Sequence, residues 1–380
     1  MKGLAMDSDH QNRSAIACGR QRRGFRGCLF CGCAGVCLFV GVIMGLLLLA
    51  TLALPAASSS KDDSQLRAVV DLAGALRPWS GVAWDTSPDA LAAYRAAYGI
   101  QIPADCVHRA GLCDVGSWRI AVQRFTPPQP RARVLLIHGY MDHAAVWRYV
   151  VAALLAKDCE VVLCDLPGHG LSSGQRVAID DFAEYRRVIR AVLQFCQNEC
   201  APSLPLSTIG HSTGAGVLAD LLLSGTDASA LPELAQVVLL APLCRSAHWE
   251  LGQWGAKVAG RFVDSLPRRY VDNSSLPGYA EWVRRDPLQY DQLPLCWPQA
   301  MGRWHDDLQQ REPAPASLRP LLIQGDADAV VDWKYNLAFF RRKFPGLETH
   351  MVPGAKHQLM NEEDALRADV IAALLSALER

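Results

Sequence analysis

The 380-residue chain has no charge bias: 38 Lys and Arg stand against 38 Asp and Glu. With no basic excess and no long block of like charge in the body, it carries no electrostatic footprint for nucleic acid. No internal repeat is evident, which excludes a repeat array. Half of the residues are hydrophobic and a fifth are charged, which excludes a mainly disordered chain and allows a sizeable core. From Gly27 to Ser60 there is no charged residue at all.

Within that uncharged stretch, Cys28 to Leu54 is an almost wholly apolar run of 27 residues ending at Pro55. As a helix at ~1.5 Å per residue it measures about 40 Å, enough to cross a ~30 Å hydrocarbon layer with tilt. Lys2, Arg13, Arg20, Arg22, Arg23 and Arg26 precede it, against Asp7 and Asp9. The positive-inside bias puts residues 1–27 in the cytoplasm and the body on the far side. The expected organisation is a basic segment 1–27, a single transmembrane anchor 28–54, a linker 55–65 and a globular domain 66–380. The competing reading is a cleaved secretory signal, with Pro55-Ala56-Ala57-Ser58 as the cleavage region. The run is longer than a signal needs, which favours the anchor. Both readings export the body.

Five of the 13 cysteines lie in or beside the apolar run. The spacing Cys28-x2-Cys31-x-Cys33 reads as small packing residues in a membrane run rather than as a metal site. Of the eight in the body, Cys106 and Cys113 form the one pair expected to bridge, across a hairpin. Several of the others sit in apolar strands and read as core.

In the body, Pro88 to Tyr98 is expected to be a helix, with Ser87 as N-cap, Pro88 at the first helical position and Gly99 as the stop. Cys106–Ala110 and Trp118–Phe125 read as a hairpin around Gly111–Gly116. Short apolar strands then alternate with helices. The strands fall at Val134–Ile137, Glu160–Cys164, Pro205–Ile209, Gln236–Leu240, Leu321–Ile323 and Glu348–Val352. The helices fall at Ala144–Leu155, Asp181–Gln197, Ala215–Leu223, Trp333–Phe344 and Glu362–Leu378. That alternation predicts an α/β fold with a mostly parallel sheet, helices on both faces and the hairpin at one edge. Between Pro242 and Pro320 it stops. The stretch about 246–318 holds Trp249, Trp254, Trp282, Trp297 and Trp304, shows helical pieces near Trp249–Val263 and Tyr279–Val283 and no clear strand, and reads as a cap.

Gly210-His211-Ser212-Thr213-Gly214 follows a strand and opens a helix, the context of a nucleophile elbow. A serine there needs a base, and the base needs an orienting acid. In this fold the acid and then the base follow the serine along the chain. Four histidines follow Ser212. His248 and His305 fall in the cap and His350 within a strand. His357 lies just past that strand, at the edge where the elbow emerges, and is the chosen base. Gln324-Gly-Asp326-Ala-Asp328 supplies the acid. Asp328, further into the loop than Asp326, is preferred, and Asp332 is a third carboxylate nearby. The oxyanion is expected to bind the backbone N–H groups of Thr213 and Tyr140, the latter in His138-Gly139-Tyr140-Met141-Asp142. His138 is expected to brace that loop. His211 either lines the pocket or packs. Asp165-Leu-Pro-Gly168-His169-Gly170-Leu-Ser172 lacks the Lys of a P-loop and reads as a turn shaping the site.

These residues, with Arg148-Tyr149, Gly174, Arg176 and Asp181-Phe182, resemble the α/β-hydrolase superfamily. Within it they resemble the monoacylglycerol lipase, lysophospholipase and serine aminopeptidase S33-like group. The resemblance covers roughly Cys106 to Arg380. It implies a nucleophile at Ser212, an acid at Asp328, a base at His357, oxyanion donors at Tyr140 and Thr213, and a helical cap over an acyl pocket. The sequence departs from it with Ala at 215, with Tyr-Met-Asp after His-Gly, and with a Trp- and Arg-rich cap of its own. The expectation is a membrane-anchored serine hydrolase that cleaves carboxylic esters of lipid type through an acyl-enzyme, with no metal or organic cofactor. A peptidase or amidase with the same triad is the alternative, using an acidic pocket from Glu250, Asp264 or Glu281. A non-catalytic binding module of the same fold is the other.

Overall fold

The computed structural model describes residues 61–79, 86–198, 204–225 and 231–379. The expected anchor, Cys28–Leu54, lies outside the described residues, as do Cys18, Cys200 and the basic segment. Among the described residues no helix is long and apolar enough to cross a membrane.

The first helix, α1 (Asp63–Ala75), starts inside the expected linker. Asp62 caps it by accepting hydrogen bonds from the N–H groups of Ser64 and Gln65. Helix α2 (Pro88–Tyr98) has the expected ends: Ser87 accepts from the Ala90 N–H, and Gly99 closes it at φ 67°. Strand β1 (Val107–Val115) pairs antiparallel with β2 (Trp118–Thr126) in an unbroken register from Val107↔Thr126 to Val115↔Trp118. The turn is therefore at Gly116-Ser117, and Gly111 lies inside the strand. This corrects the expected Cys106–Cys113 bridge. The two cysteines lie seven residues apart along one extended segment, about 23 Å at ~3.3 Å per residue, far beyond disulfide reach. Both are buried, and neither is in a disulfide.

Next come β3 (Ala132–Ile137), a 3-10 turn at Ala144–Trp147, α3 (Arg148–Leu155), β4 (Cys159–Cys164), α4 (Phe182–Asn198), β5 (Leu206–His211), α5 (Thr213–Leu222) and β6 (Gln236–Leu240). The cap follows, with α6 (Trp249–Ala259), β7 (Ser265–Pro267), α7 (Tyr279–Arg285), β8 (Gln292–Pro294) and α8 (Cys296–Gln310). The cap thus has a β7–β8 ladder and a third helix that the sequence reading missed. Three-residue strands carrying Pro267 and Pro294 have no alternation to read. Helix α8 has no side-chain cap bond and carries Pro298 in its first turn, where a missing N–H costs little. The chain ends with β9 (Leu321–Gly325), α9 (Trp333–Lys343), β10 (Glu348–Val352) and α10 (Asp364–Leu378).

Eight strands form one sheet in the order β1-β2-β4-β3-β5-β6-β9-β10. Strands β4, β3, β5, β6, β9 and β10 run parallel, and the hairpin is antiparallel at one edge. The central strands β4, β3, β5 and β6 are buried on both faces, and their period of two splits the core. Leu135, Ile137, Val162 and Cys164 join α4, α5, α8 and α9 on one side. Val134, Leu136, Val161 and Leu163 join α1, α2, α3 and α10 on the other. Along the chain, β4 is laid on one side of β3 and β5 on the other. The carboxyl ends of β3 and β5 therefore meet where the winding reverses, the position at which open α/β sheets bind ligands.

Candidate active site

Ser212 sits between β5 and α5 at φ 49°, a left-handed backbone that a residue with a Cβ adopts only under strain. The turn is tight enough to require both flanking glycines. A Cβ on Gly210 would lie 2.7 Å from the backbone N and Cα of Ala215, and one on Gly214 would lie 2.5 Å from the His138 carbonyl oxygen. The elbow is pinned to the next strand, since the Ser212 N–H donates to the Leu240 carbonyl at 2.9 Å. Its own carbonyl accepts from Gly216 at 2.9 Å and Leu243 at 3.0 Å.

Asp328 and His357 leave the carboxyl ends of β9 and β10, and the structure brings them together. His357 Nδ1 donates to Asp328 Oδ2 at 2.8 Å, with both residues buried. The other carboxylate oxygen accepts from the N–H groups of Val330 (2.8 Å) and Val331 (3.1 Å), and Gln324 Nε2 donates to Oδ2 at 3.0 Å. Burial alone would raise the Asp328 pKa. The His357 charge, its hydrogen bond and the two backbone donors outweigh burial and hold it below the ordinary carboxylate value. Because Nδ1 is engaged, Nε2 is the nitrogen left for proton transfer.

The bases and acids not chosen are bonded elsewhere or exposed. His350 pairs with Asp369 at 3.2 Å on the surface. His305 accepts from Arg245 Nε at 3.0 Å inside the cap. His248 is exposed at the start of α6. Asp326 accepts from the Gly354 N–H, and Asp332 caps α9 through the Tyr335 N–H. Glu250, Asp264 and Glu281 are all exposed, so they form no acidic pocket.

The loop after β3 lies against the elbow: a Cβ on Gly139 would be 3.0 Å from Ser212 Cβ. His138 braces this loop, with Nδ1–H donating to the Gly139 carbonyl at 2.7 Å and Nε2 accepting from the Leu166 N–H at 2.9 Å. Burial pushes its pKa down to about 3, so it is a neutral strut. Tyr140 is fixed by its hydroxyl, which donates to the Val177 carbonyl at 2.8 Å, and by its ring, which stacks on Trp297 of α8 with centroids 3.7 Å apart. Thr213 is the first residue of α5, where backbone N–H groups lack intrahelical partners.

His211 is fully buried and packs against the base loop. Its Nε2–H donates to the His357 carbonyl at 3.1 Å, and the two rings lie 4.8 Å apart, so the elbow and the base loop touch. Burial and the His357 charge push its pKa down to about 3. The turn 165–172 is tied to the loop after β3 and to β2. Asp165 accepts from the N–H groups of Ala144 (2.7 Å) and Leu171 (2.8 Å). Ser172 Oγ bonds the Asp165 carbonyl at 2.6 Å and the Ala121 N–H at 2.9 Å.

Sequence reasoning passed over three residues here. Asp142 accepts from Gln358 Nε2 at 3.0 Å, tying the loop after β3 to the residue beside His357. His143 reaches Asp286, at the end of α7, at 2.7 Å. Adjacency to His138-Gly139 could have flagged Asp142 and His143. Nothing local flags Asp286, which is 143 residues away. Among the described residues no group of His, Cys, Asp or Glu is arranged to hold a metal.

A strained serine elbow, with a buried Asp–His pair at the carboxyl edge of a mostly parallel sheet, defines an α/β hydrolase of the serine class. The sequence profile of the family described as "Serine aminopeptidase, S33" matches residues 128–364, and the chain belongs to that family. It is 27% identical over 268 residues to a monoacylglycerol lipase of Mycolicibacterium smegmatis, covering 66% of this chain and 90% of that one. It is 32% identical over 212 residues to human monoglyceride lipase, covering 54% of this chain and 68% of that one. Among solved structures it resembles a soluble variant of Saccharomyces cerevisiae monoglyceride lipase in complex with a substrate analogue. That match has a TM-score of 0.60 and 18% identity, and covers 74% of this chain and 96% of that chain.

Proposed function

We propose that the protein hydrolyses carboxylic esters of lipid type, monoacylglycerols first among them, through an acyl-enzyme on Ser212. The reading is carried by the His357–Asp328 bond of 2.8 Å, which leaves Nε2 as the ring nitrogen able to take a proton. Nε2 takes the Ser212 proton as Oγ attacks the ester carbonyl. The tetrahedral oxyanion is held by the N–H groups of Tyr140 and Thr213. The C–O bond to the alcohol then breaks, and Nε2–H returns its proton to the departing oxygen. Water repeats the sequence on the acyl-enzyme and releases the acid. Each oxyanion donor is worth ~10²–10³ in turnover. Similarity to monoacylglycerol and monoglyceride lipases supports the substrate class.

The apolar run Cys28–Leu54 with its basic flank supports an uncleaved single-pass anchor. It leaves residues 1–27 cytoplasmic and the catalytic domain on the other side of the membrane.

A fluorophosphonate probe should label the wild-type chain and not Ser212→Ala. Monoacylglycerols should be turned over in preference to aminoacyl amides. A folded chain that takes no probe refutes the serine mechanism, and a preference for amides refutes the ester reading. Protease added to sealed vesicles should remove the domain from the non-cytoplasmic face only. An N-terminal sequence beginning near Ser58 would replace the anchor with a cleaved signal.

A further inference from the structure

Asp286 lies where three parts of the chain converge. It is fully buried at the end of α7 in the cap. Its Oδ2 accepts from His143 Nε2–H at 2.7 Å, and His143 closes the loop that carries Gly139 and Tyr140. Its Oδ1 accepts from the Tyr98 hydroxyl of α2 at 2.8 Å and from the Leu288 N–H at 2.9 Å. Its backbone carbonyl accepts from Lys61 Nζ at 3.1 Å, and the same ammonium reaches the carbonyls of Arg284 (3.2 Å) and Gln289 (3.3 Å) at the negative end of α7. The N–H of Asp62 adds a bond to the Arg285 carbonyl at 2.9 Å. A carboxylate is costly to bury, and an apolar contact packs as well. Trp297 on Tyr140 already joins the cap to this loop in that way. What the His143–Asp286 pair adds is a fixed direction and length between cap and loop.

The loop is also held by Asp142, which accepts from Gln358 Nε2 at 3.0 Å, and by the Tyr140 hydroxyl, which donates to the Val177 carbonyl at 2.8 Å, but neither of these bonds reaches the cap. Asp165 holds the Ala144 N–H from the sheet side, and His138 holds the other end. Between them the backbone passes through Met141 at φ 61°. We propose that Asp286 is a positioning residue for the hydrolysis. Through His143 it fastens the cap to the loop that presents the Tyr140 N–H, so a seated cap and a formed oxyanion site are one state of the protein. This rests on the assignment of Ser212 as nucleophile and of Tyr140 as an oxyanion donor.

The test compares two neutral variants of the purified full-length chain in detergent, on a short p-nitrophenyl ester that asks little of the acyl pocket. In Asp286→Asn the amide oxygen keeps Tyr98 and Leu288, and the amide N–H can donate to His143 once the ring changes tautomer. That change gives up the long 3.4 Å bond that Nδ1 accepts from the Ala145 N–H, a bond the double variant also lacks, so the link between cap and loop survives without charge. In His143→Phe with Asp286→Asn the ring volume is kept and the fastening is cut, with no orphan charge left behind. The double variant should lose about tenfold or more in kcat relative to Asp286→Asn, less than outright removal of a donor costs. KM should stay within about threefold, the signature of an interaction made in the transition state. His143→Leu replaces His143→Phe in that background if the latter does not fold. A folded double variant with the kcat of Asp286→Asn overturns the proposal, and so does a loss confined to KM. If the wild type shows no hydrolysis that Ser212→Ala abolishes, the functional reading itself fails and takes this proposal with it.

Discussion

Replacing Asp328 with Asn tests the catalytic reading at its most specific point. One carboxylate oxygen faces two backbone donors, the N–H groups of Val330 and Val331, and the other faces His357 Nδ1 and Gln324 Nε2. An amide NH2 cannot sit against two backbone N–H groups, so Asn must present its oxygen there and its NH2 to His357. Nδ1 then has to accept, the ring proton moves to Nε2, and the nitrogen that should deprotonate Ser212 is blocked. Gln324 resists a compensating flip, because its Nε2 also donates to the Gly325 carbonyl at 3.0 Å. The same tautomer fault in an unrelated serine hydrolase fold costs about 10⁴ in kcat, or roughly 5 kcal/mol of barrier. The assay is kcat on a soluble ester near pH 7.5, with a thermal melt to confirm folding. Asp326→Asn serves as the comparison, since Asp326 bonds only the Gly354 N–H among the contacts described and should leave kcat near wild type. A folded Asp328→Asn within tenfold of wild type would refute the tautomer argument.

Three further outcomes follow from the packing. Gly214→Ala drives a Cβ to 2.5 Å from the His138 carbonyl and 2.6 Å from the Ile137 carbonyl, both backbone. It should cost about 1–3 kcal/mol or more in urea unfolding and abolish fluorophosphonate labelling. Burial, helped by Arg95, pushes the His108 pKa down to about 3. The imidazole is therefore neutral in the folded chain, while the unfolded chain takes up a proton below pH ~6.5. Its contribution to stability is present above ~6.5 and is lost as pH falls toward 3. His108→Gln should flatten the stability slope between pH 4.5 and 5.5 by about 1.4 kcal/mol per pH unit, and an unchanged slope contradicts the assignment. Finally, native thiol titration of the catalytic domain should modify half-buried Cys296 ahead of Cys106, Cys113, Cys159, Cys164, Cys196 and Cys244, which are buried. After unfolding without reductant, Cys106 and Cys113 should both alkylate. A bridged peptide would contradict the strand register.

Much of the fold was legible because its signals are local. The ends of α2 follow from Ser87, Pro88 and Gly99, and buried runs such as Val134–Ile137 mark strands covered on both faces. The hairpin was legible as a hairpin but not in length, because Gly111 reads as a turn residue and only cross-strand pairing to Val122 keeps it in β1. Helix α1 was missed because its capping Asp62 sits in a polar stretch that resembles a linker, and the β7–β8 ladder because three residues carry no period.

The amino-acid sequence by itself determined the elbow, since Gly210 and Gly214 around Ser212 encode a turn that only glycine allows. It also determined the chain order Ser212, Asp328, His357, and the alternation that makes a parallel sheet. These are short-range steric and periodic constraints, written residue by residue. The tertiary structure alone decided that Cys106 and Cys113 lie a strand's length apart, that Asp142 answers to Gln358, and that His143 meets Asp286 across 143 positions of chain. Those pairings depend on how far strands and helices travel before they meet. No local pattern records that distance, and a buried carboxylate finds its donors only once the core has closed around it.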